Sequence, residues 1–342
     1  MDDSNSAPTE DAHEFHWSYK GEGGPENWVL HFPIGGLDHQ SPIDIIPGEC
    51  VPLEATSSSC GRSNADGVES FKFLLYDENP LNIEIENNGH TATIHWNNAT
   101  KSSVTDVVKP FVDKVVKPLV THVANKPCVT NAVKPFVDNV AKPFVNNVVK
   151  PLVTKVAKPC VTKGGLDSSY ILAQFHFHWG SDSSKGSEHL IDGKAAPIEL
   201  HLVHYRADYG SLGEAVKDGD CLAVAVLAVM YKIGEKNAAL KPIVDALPEV
   251  LDAGTKHVID YTMDLSGFLP ANRDSFYRYS GSLTTPGCKE VVVWTIFKEP
   301  LELSEEQLEG FRRLHDAEGD HLEDNFRPVQ DLHGRTIYEY DG

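Results

Sequence analysis

The stretch QFHFHWG, at 174–180, limits what this chain can become more than any other. Successive side chains of a β-strand point to opposite faces. His176 and His178 therefore share one face, and Phe175, Phe177 and Trp179 fill the other. Aromatic side chains in such a row belong over a core, so the strand reads as buried on at least one side. A second apolar segment, IELHLVHY, places Glu199, His201 and Val203 on one of its faces. If the two strands pair, His176, His178 and His201 converge. Three neutral imidazoles at roughly 2.0–2.1 Å make a tetrahedral zinc site with one position open, which marks a catalytic rather than a structural metal. The competing reading is a set of core histidines satisfied by hydrogen bonds. Gln174 shares the face of His176 and His178, and Glu199 that of His201, so both suit the task of orienting imidazoles. A carboxylate inside an apolar strand is costly without such a partner.

The remaining pattern is mainly β. LNIEIENNGHTATIHW (81–96) alternates, turns at Asn87-Asn88-Gly89 and alternates again, as a hairpin or two adjacent strands do. CLAVAVLAVMYKIG (221–234) and EVVVWTIFKEP (290–300) read as further strands. Helical stretches are fewer: 241–254 and 304–316, the latter opened by Ser304 with Gln307 three residues on, a capping-box arrangement. The fold class expected is mainly β (α+β), with a few peripheral helices.

Residues 104–162 break the pattern. VVKPFVDK, VVKPLVTH, NAVKPFVD and related octads repeat, with prolines at Pro110, Pro118, Pro127, Pro135, Pro143, Pro151 and Pro159. Apolar residues fall one, two, five and six places after each of the first six prolines, which puts them on one helical face opened by a residue suited to a first turn. The Val content favours an extended segment instead. The segment is also basic. Residues 101–163 hold eleven Lys and three Asp, without Arg or Glu, so they carry +8 and leave −28 on the rest of a chain whose net charge is −20. A membrane surface or an acidic polymer would suit such a module, although a repeat tolerated in a surface loop is the simpler account.

The acidic balance argues against nucleic acid as a partner. No apolar run is long enough to span a bilayer. MDDSNSAPTEDAHEF lacks the basic end and apolar stretch of a signal peptide, so the chain is either cytosolic or a mature form. Asn98-Ala99-Thr100 is a sequon, which matters only in a secreted chain. Six cysteines (Cys50, Cys60, Cys128, Cys160, Cys221 and Cys288) contain no CxxC and leave disulfides or free thiols open.

QFHFHWG, GSEH (186–189), ELHLVHY and GSLTTPGC (281–288), in this order and spacing, resemble the α-class carbonic anhydrases. So do QSPIDI (40–45), ENNGH (86–90) and DNFRPVQ (324–330), and the likeness covers about 14–100 and 161–340. It implies a single domain over 14–340, interrupted by an insert at 103–161 in a surface connection. The implied fold is a large, twisted, mostly antiparallel central sheet of about ten strands, with the metal at the bottom of a cone-shaped cleft. The implied activity is reversible hydration of CO2 to bicarbonate and a proton, by attack of zinc-bound hydroxide. His176, His178 and His201 would hold Zn2+. Thr284 would orient the hydroxide, Glu188 would accept the Thr284 proton, and His90 would shuttle protons. Tyr19, Asn88 and Thr93 would line the polar side of the pocket, with Thr285 beside Thr284. Val203, Val224, Leu283 and Trp294 would form the apolar wall. Sulfonamides and anions would inhibit.

The chain departs from the family in places. Pro286-Gly287 stands where two prolines are usual, and Thr93 where Asn is common. His95 falls on the side of His90 and Thr93, as a cavity-rim histidine or a second relay. Cys288 matches a position bonded in many secreted members, but its usual partner is missing. Cys50 or Cys60 could substitute, and Cys128 could pair with Cys160. The resemblance thus favours a secreted or lumenal setting over the cytoplasm. An acatalytic binding protein is the main alternative, and retention of all three histidines with Thr284 and Glu188 argues against it. Weak esterase activity would accompany the main reaction, while the missing HExxH argues against a peptidase. Because no candidate site residue lies in the insert, deleting about residues 103–160 is expected to leave catalysis nearly intact. A large loss of turnover in a folded deletion variant would overturn that expectation.

Overall fold

The two histidine-bearing segments pair as the alternation requires. In the computed structural model, which describes residues 15–54, 58–59, 62–63, 68–77, 82–97 and 158–342, they are antiparallel neighbours with His201 opposite His176 and Glu199 opposite His178. They lie within a 13-stranded sheet. In chain order its strands are β1 (Val51–Pro52), β2 (Lys72–Leu74), β3 (Asn82–Asn87), β4 (Ala92–Asn97), β5 (Cys160–Thr162), β6 (Tyr170–Trp179) and β7 (Ile198–Arg206). They continue as β8 (Val224–Ile233), β9 (Thr255–Ile259), β10 (Ser275–Gly281), β11 (Val292–Phe297), β12 (Leu301–Leu303) and β13 (Tyr338–Asp341). The order across the sheet is β9-β3-β4-β6-β7-β8-β11-β10-β13-β1, with β12 beside β8, and β2 joined to β6 through β5.

Most pairs are antiparallel, but β8 runs parallel to β11 and β12, and β13 parallel to β1. The sheet is therefore mixed. A parallel pair needs a long crossover, and the 58 residues between Ile233 and Val292 supply it with α3 (Lys241–Ala246), β9 and β10. The other described helices are α1 (Pro25–His31), α2 (Leu212–Asp218) and α4 (Glu305–Arg312). In α4 the Ser304–Gln307 capping box closes as expected. The helix expected over 241–254 stops at Ala246 and tightens into a 3₁₀ turn, Leu247–Val250, where Pro248 removes a donor.

The sheet faces divide the labour. Phe175, Phe177 and Trp179 of β6 and Ile198, Leu200 and Leu202 of β7 are fully buried in one cluster with Leu308 and Phe311 of α4. Burying each such side chain contributes roughly 1.5–3 kcal/mol. The opposite face carries the imidazoles and a second cluster with Val203, Val226, Tyr279 and Trp294. A register shift between Val203 and His204 skips one residue of β6, and the β6–β7 pairing resumes with His204 opposite Leu172 beyond the site. His204 is buried there against the Tyr76 hydroxyl at 2.5 Å and the Leu202 carbonyl.

The repeat segment up to residue 157 lies outside the described residues, as do Asn98 and the expected partner cysteines Cys60 and Cys128. Cys160 and Val161, taken above as the end of the insert, belong instead to β5 and pair with Leu74, Phe73 and β6. Cys50, Cys160 and Cys288 are free thiols, so neither a Cys288 pairing with Cys50 or Cys60 nor a Cys128–Cys160 pairing is formed. Cys288 is packed in the interior against Gly35.

The GSEH segment reaches the sheet through a backbone contact that only glycine permits. Gly186 has φ +148°, and a Cβ there would lie 2.0 Å from the Pro197 carbonyl oxygen and 2.6 Å from the Gly180 nitrogen. Both neighbours are main chain and cannot swing aside. Gly186→Ala is therefore expected to destabilise the fold by roughly 3 kcal/mol, read as a lower urea midpoint. An unchanged midpoint would show that the loop can rebuild.

Candidate metal centre and its cavity

His176 and His178 come from β6 and His201 from β7, and their ring centroids lie 5.1, 5.3 and 4.7 Å apart. Each ring has one nitrogen committed. His176 Nδ1 meets Gln174 Oε1 at 2.9 Å, His178 Nδ1 meets the Asn325 carbonyl at 2.7 Å, and His201 Nε2 meets Glu199 Oε1 at 2.8 Å. All three partners are acceptors, so those nitrogens carry the hydrogen. The lone pairs then sit on Nε2 of His176, Nε2 of His178 and Nδ1 of His201.

These free nitrogens point at one another. One ligand atom from each of the three lies within 4.8 Å of the others. His178 Nε2 and His201 Nδ1 are buried with no hydrogen-bond partner, and so is Glu188 Oε2, which stands 3.6 and 3.9 Å from them. Orphaned buried acceptors are costly. A site that gathers only acceptors suits a cation, and the donor set of three imidazole nitrogens suits zinc. The residues present fit that ion.

Electrostatics agree. Burial, reinforced by the neighbouring imidazoles, holds His176 well below the ordinary histidine pKa. Burial likewise lowers His178, against the opposing pull of Glu188. Both are held in the neutral form that binds a metal. Glu199 stays well below the usual carboxylate range. Its burial works against this, but His189 and His201 outweigh it. Glu199 is completely buried and accepts from His189 Nδ1 as well as from His201.

Several residues that hold the site were not legible in the sequence. Asn325, in DNFRPVQ, accepts the Trp179 N–H and donates to the carbonyls of His90 and Phe177, besides taking the His178 proton. The Arg327 backbone N–H donates to Glu188 Oε1 at 2.9 Å. The resemblance implied that Glu188 accepts the Thr284 hydroxyl proton. No hydrogen bond joins these two residues here: Oε1 is taken by Arg327, and Oε2 faces the imidazoles without a partner.

Above the triad opens a cavity of about 290 Å³. Its polar side includes Tyr19, Asn88, His90 and Thr93, and its apolar side Val203, Val226, Leu283 and Trp294, with Thr284 and Thr285 between them. Val224, expected in the wall, does not line it. Val224 pairs with Tyr205, and it is Val226, two residues on, that pairs with Val203. Trp17, Thr91, Leu212 and Val216 also line the cavity and were missed. Helix α2, which supplies the last two, has only seven residues and offers little periodicity to read. His95, expected at the rim, is outside the lining and binds Glu86 at 2.7 Å. Its partner carboxyl lies on the adjacent strand and draws the ring away.

His90 stacks on Trp17, with centroids 3.6 Å apart and planes at 14°. Asn88 Oδ1 accepts the N–H groups of His90 and Thr91 and fixes this turn. Burial, and then the neighbouring His16, push the His90 pKa down to about 4.

A family model for the eukaryotic-type carbonic anhydrases matches residues 23–116 and 130–341. Carbonic anhydrase 7 of Mus musculus is 31% identical over 332 residues, covering 94% of this chain and 96% of that protein, and carbonic anhydrase 7 of Homo sapiens gives the same values. Putative carbonic anhydrase 3 of Caenorhabditis elegans is 32% identical over 324 residues, with the same coverage.

The Trp17 stack makes a prediction about His90. A folded pKa of about 4 against an unfolded value near 6.5 means that the unfolded chain takes up the proton first. His90 therefore costs stability as pH falls from about 6.5 towards 4, and nothing above that window. Trp17→Ala should hydrate the ring and raise its pKa towards 6.5, measured by NMR titration of the His90 ring proton. A value that stays near 4 in the variant would place the cause elsewhere.

Proposed function

Because the chain belongs to the eukaryotic-type carbonic anhydrase family, we propose that it catalyses the reversible hydration of CO2 with zinc held by His176, His178 and His201. The observation that carries this reading is the set of three converging imidazoles whose outer nitrogens are all spent on acceptors, with the inner nitrogens of His178 and His201 buried without partners. When bound, zinc supplies a Lewis acid that makes water nucleophilic near neutral pH, a property for which carbonic anhydrases are themselves the type case.

The chain's own residues do the rest. Gln174, Asn325 and Glu199 hold the tautomers in which each imidazole presents its lone pair inward. Glu188 brings a carboxyl oxygen to the same centre. CO2 is apolar, so Val203, Val226, Leu283 and Trp294 give it a dry wall beside the metal position. Thr284 and Thr285 offer hydroxyls at the floor, where bicarbonate would form and leave.

A proton must leave with each turnover. Tyr19, Asn88 and Thr93 line the side on which ordered water would carry it, and His90 is the titratable group on that side. Flat on Trp17, His90 is a weak proton acceptor at neutral pH. Movement of the ring off Trp17 towards solvent would return it to a useful pKa. The same open metal position would take inhibitory anions and sulfonamides.

Stopped-flow CO2 hydration near pH 7.5 tests the reading. A chelator should abolish turnover, added zinc should restore it, and His201→Ala should lose both zinc and turnover. Loss of a general acid–base group typically costs 10²–10⁴-fold, so His90→Ala is expected to be roughly 10²-fold slower in weak buffer. Zinc fully bound with no turnover would favour a binding protein instead.

A further inference from the structure

A line of buried polar groups runs outward from His201. Beyond Glu199 lies His189, whose Nδ1 meets Glu199 Oε1 at 2.7 Å and whose backbone N–H donates to Glu199 Oε2 at 2.9 Å. His189 Nε2 meets the Tyr279 hydroxyl at 2.7 Å, and that hydroxyl donates to Ser41 Oγ at 2.9 Å. Ser41 Oγ also accepts the Ser282 backbone N–H at 3.0 Å, while the Ser41 N–H donates to Ser282 Oγ at 3.0 Å. Ser282 lies two residues before Thr284. Its carbonyl accepts from Trp294 Nε1, and Trp294 is part of the cavity wall.

Ser41, Ser282, Tyr279, His189 and Glu199 are all completely buried. Water cannot replace any bond in the line, so each orientation is fixed by the next group. The sequence also reserves space for the junction. A Cβ on Gly281 would lie 2.1 Å from Ser41 Oγ, so glycine at this position is what lets the hydroxyl sit there.

We propose that Ser41 and Tyr279 are positioning residues that couple the orientation of the His201 ligand to the placement of the Thr284 loop. One oxygen, Ser41 Oγ, receives both the tyrosine that steadies His189 and the main chain that carries Thr284. The ligand and the loop are then set as one unit, although they belong to β7 and to the turn after β10. This inference rests on the zinc reading above.

The test uses the full-length, zinc-loaded protein and two readouts: the rate of zinc loss to a chelator, and CO2 hydration at saturating zinc. Tyr279→Phe keeps the ring and removes the hydroxyl. It is expected to speed zinc loss about tenfold. Ser41→Ala cuts both arms of the junction, so it should speed zinc loss similarly and also slow the zinc-saturated enzyme about tenfold. In the double variant the effect on zinc loss should fall short of the product of the single effects, because the two side chains act in one line.

A purely structural role would lower the melting temperature and leave zinc loss alone. Zinc loss within about twofold of the parent in both variants, or a fully multiplicative double variant, would overturn the proposal. If Ser41→Ala does not fold, the zinc-loss rate of Tyr279→Phe decides alone. A parent that binds no zinc overturns the metal reading and this proposal with it. A parent that binds zinc without hydrating CO2 overturns only the reading of the reaction, and the zinc-loss rates still decide the coupling.

Discussion

The antiparallel pairing of β6 with β7 is the constraint on which the rest of the site depends. His201 meets His176 only because the strands hold one register. A slip of one residue would turn every imidazole to the wrong face. That register is held from behind. Three large side chains of β6 and three of β7 are buried on the far side, each worth roughly 1.5–3 kcal/mol. Hydrophobic burial on one face thus sets the geometry of the polar groups on the other.

The polar face follows the opposite logic. Acceptors are gathered there: the half-buried Gln174, and the buried Asn325 carbonyl, Glu199 and Glu188. All but one oxygen meet a donor. The exception, Glu188 Oε2, stands beside two imidazole nitrogens that also lack one. These atoms are all acceptors, so the electrostatics of the site and its hydrogen bonding both suit a cation. Asn325 ties the arrangement together, because one residue holds the His178 ring, the end of β6 and the main chain of His90.

Much of this was legible because strands write their faces into the sequence at period two. The triad, Gln174 and Glu199 all follow from alternation in two short segments. The capping box of α4 was equally plain. What stayed hidden came from elements without a period. Asn325 and Arg327 lie in an irregular segment, His189 in a loop, and Leu212 and Val216 on a helix of two turns. Their roles arise from long-range contacts that no local pattern encodes. His95 was misplaced for a related reason. Alternation gave its face, but the pull of Glu86 on the neighbouring strand decided where it rests. The parallel pairing of β8 with β11 was also beyond local reading, since a crossover fixes it rather than the strands themselves.

The exchange of Val224 for Val226 has a wider consequence. The two residues share a face and a side chain, and they differ only in distance along β8, by roughly 6.6 Å at the usual strand rise. A strand can therefore gain or lose two residues and still present valine to the cavity. A change of one would bring a neighbour of the other face into the wall. Drift in strand length is filtered by parity: even steps pass unnoticed and odd steps are exposed at once. Alignments of such strands are best judged by which face survives, since residue identity alone cannot distinguish a wall position from its twin one pleat away.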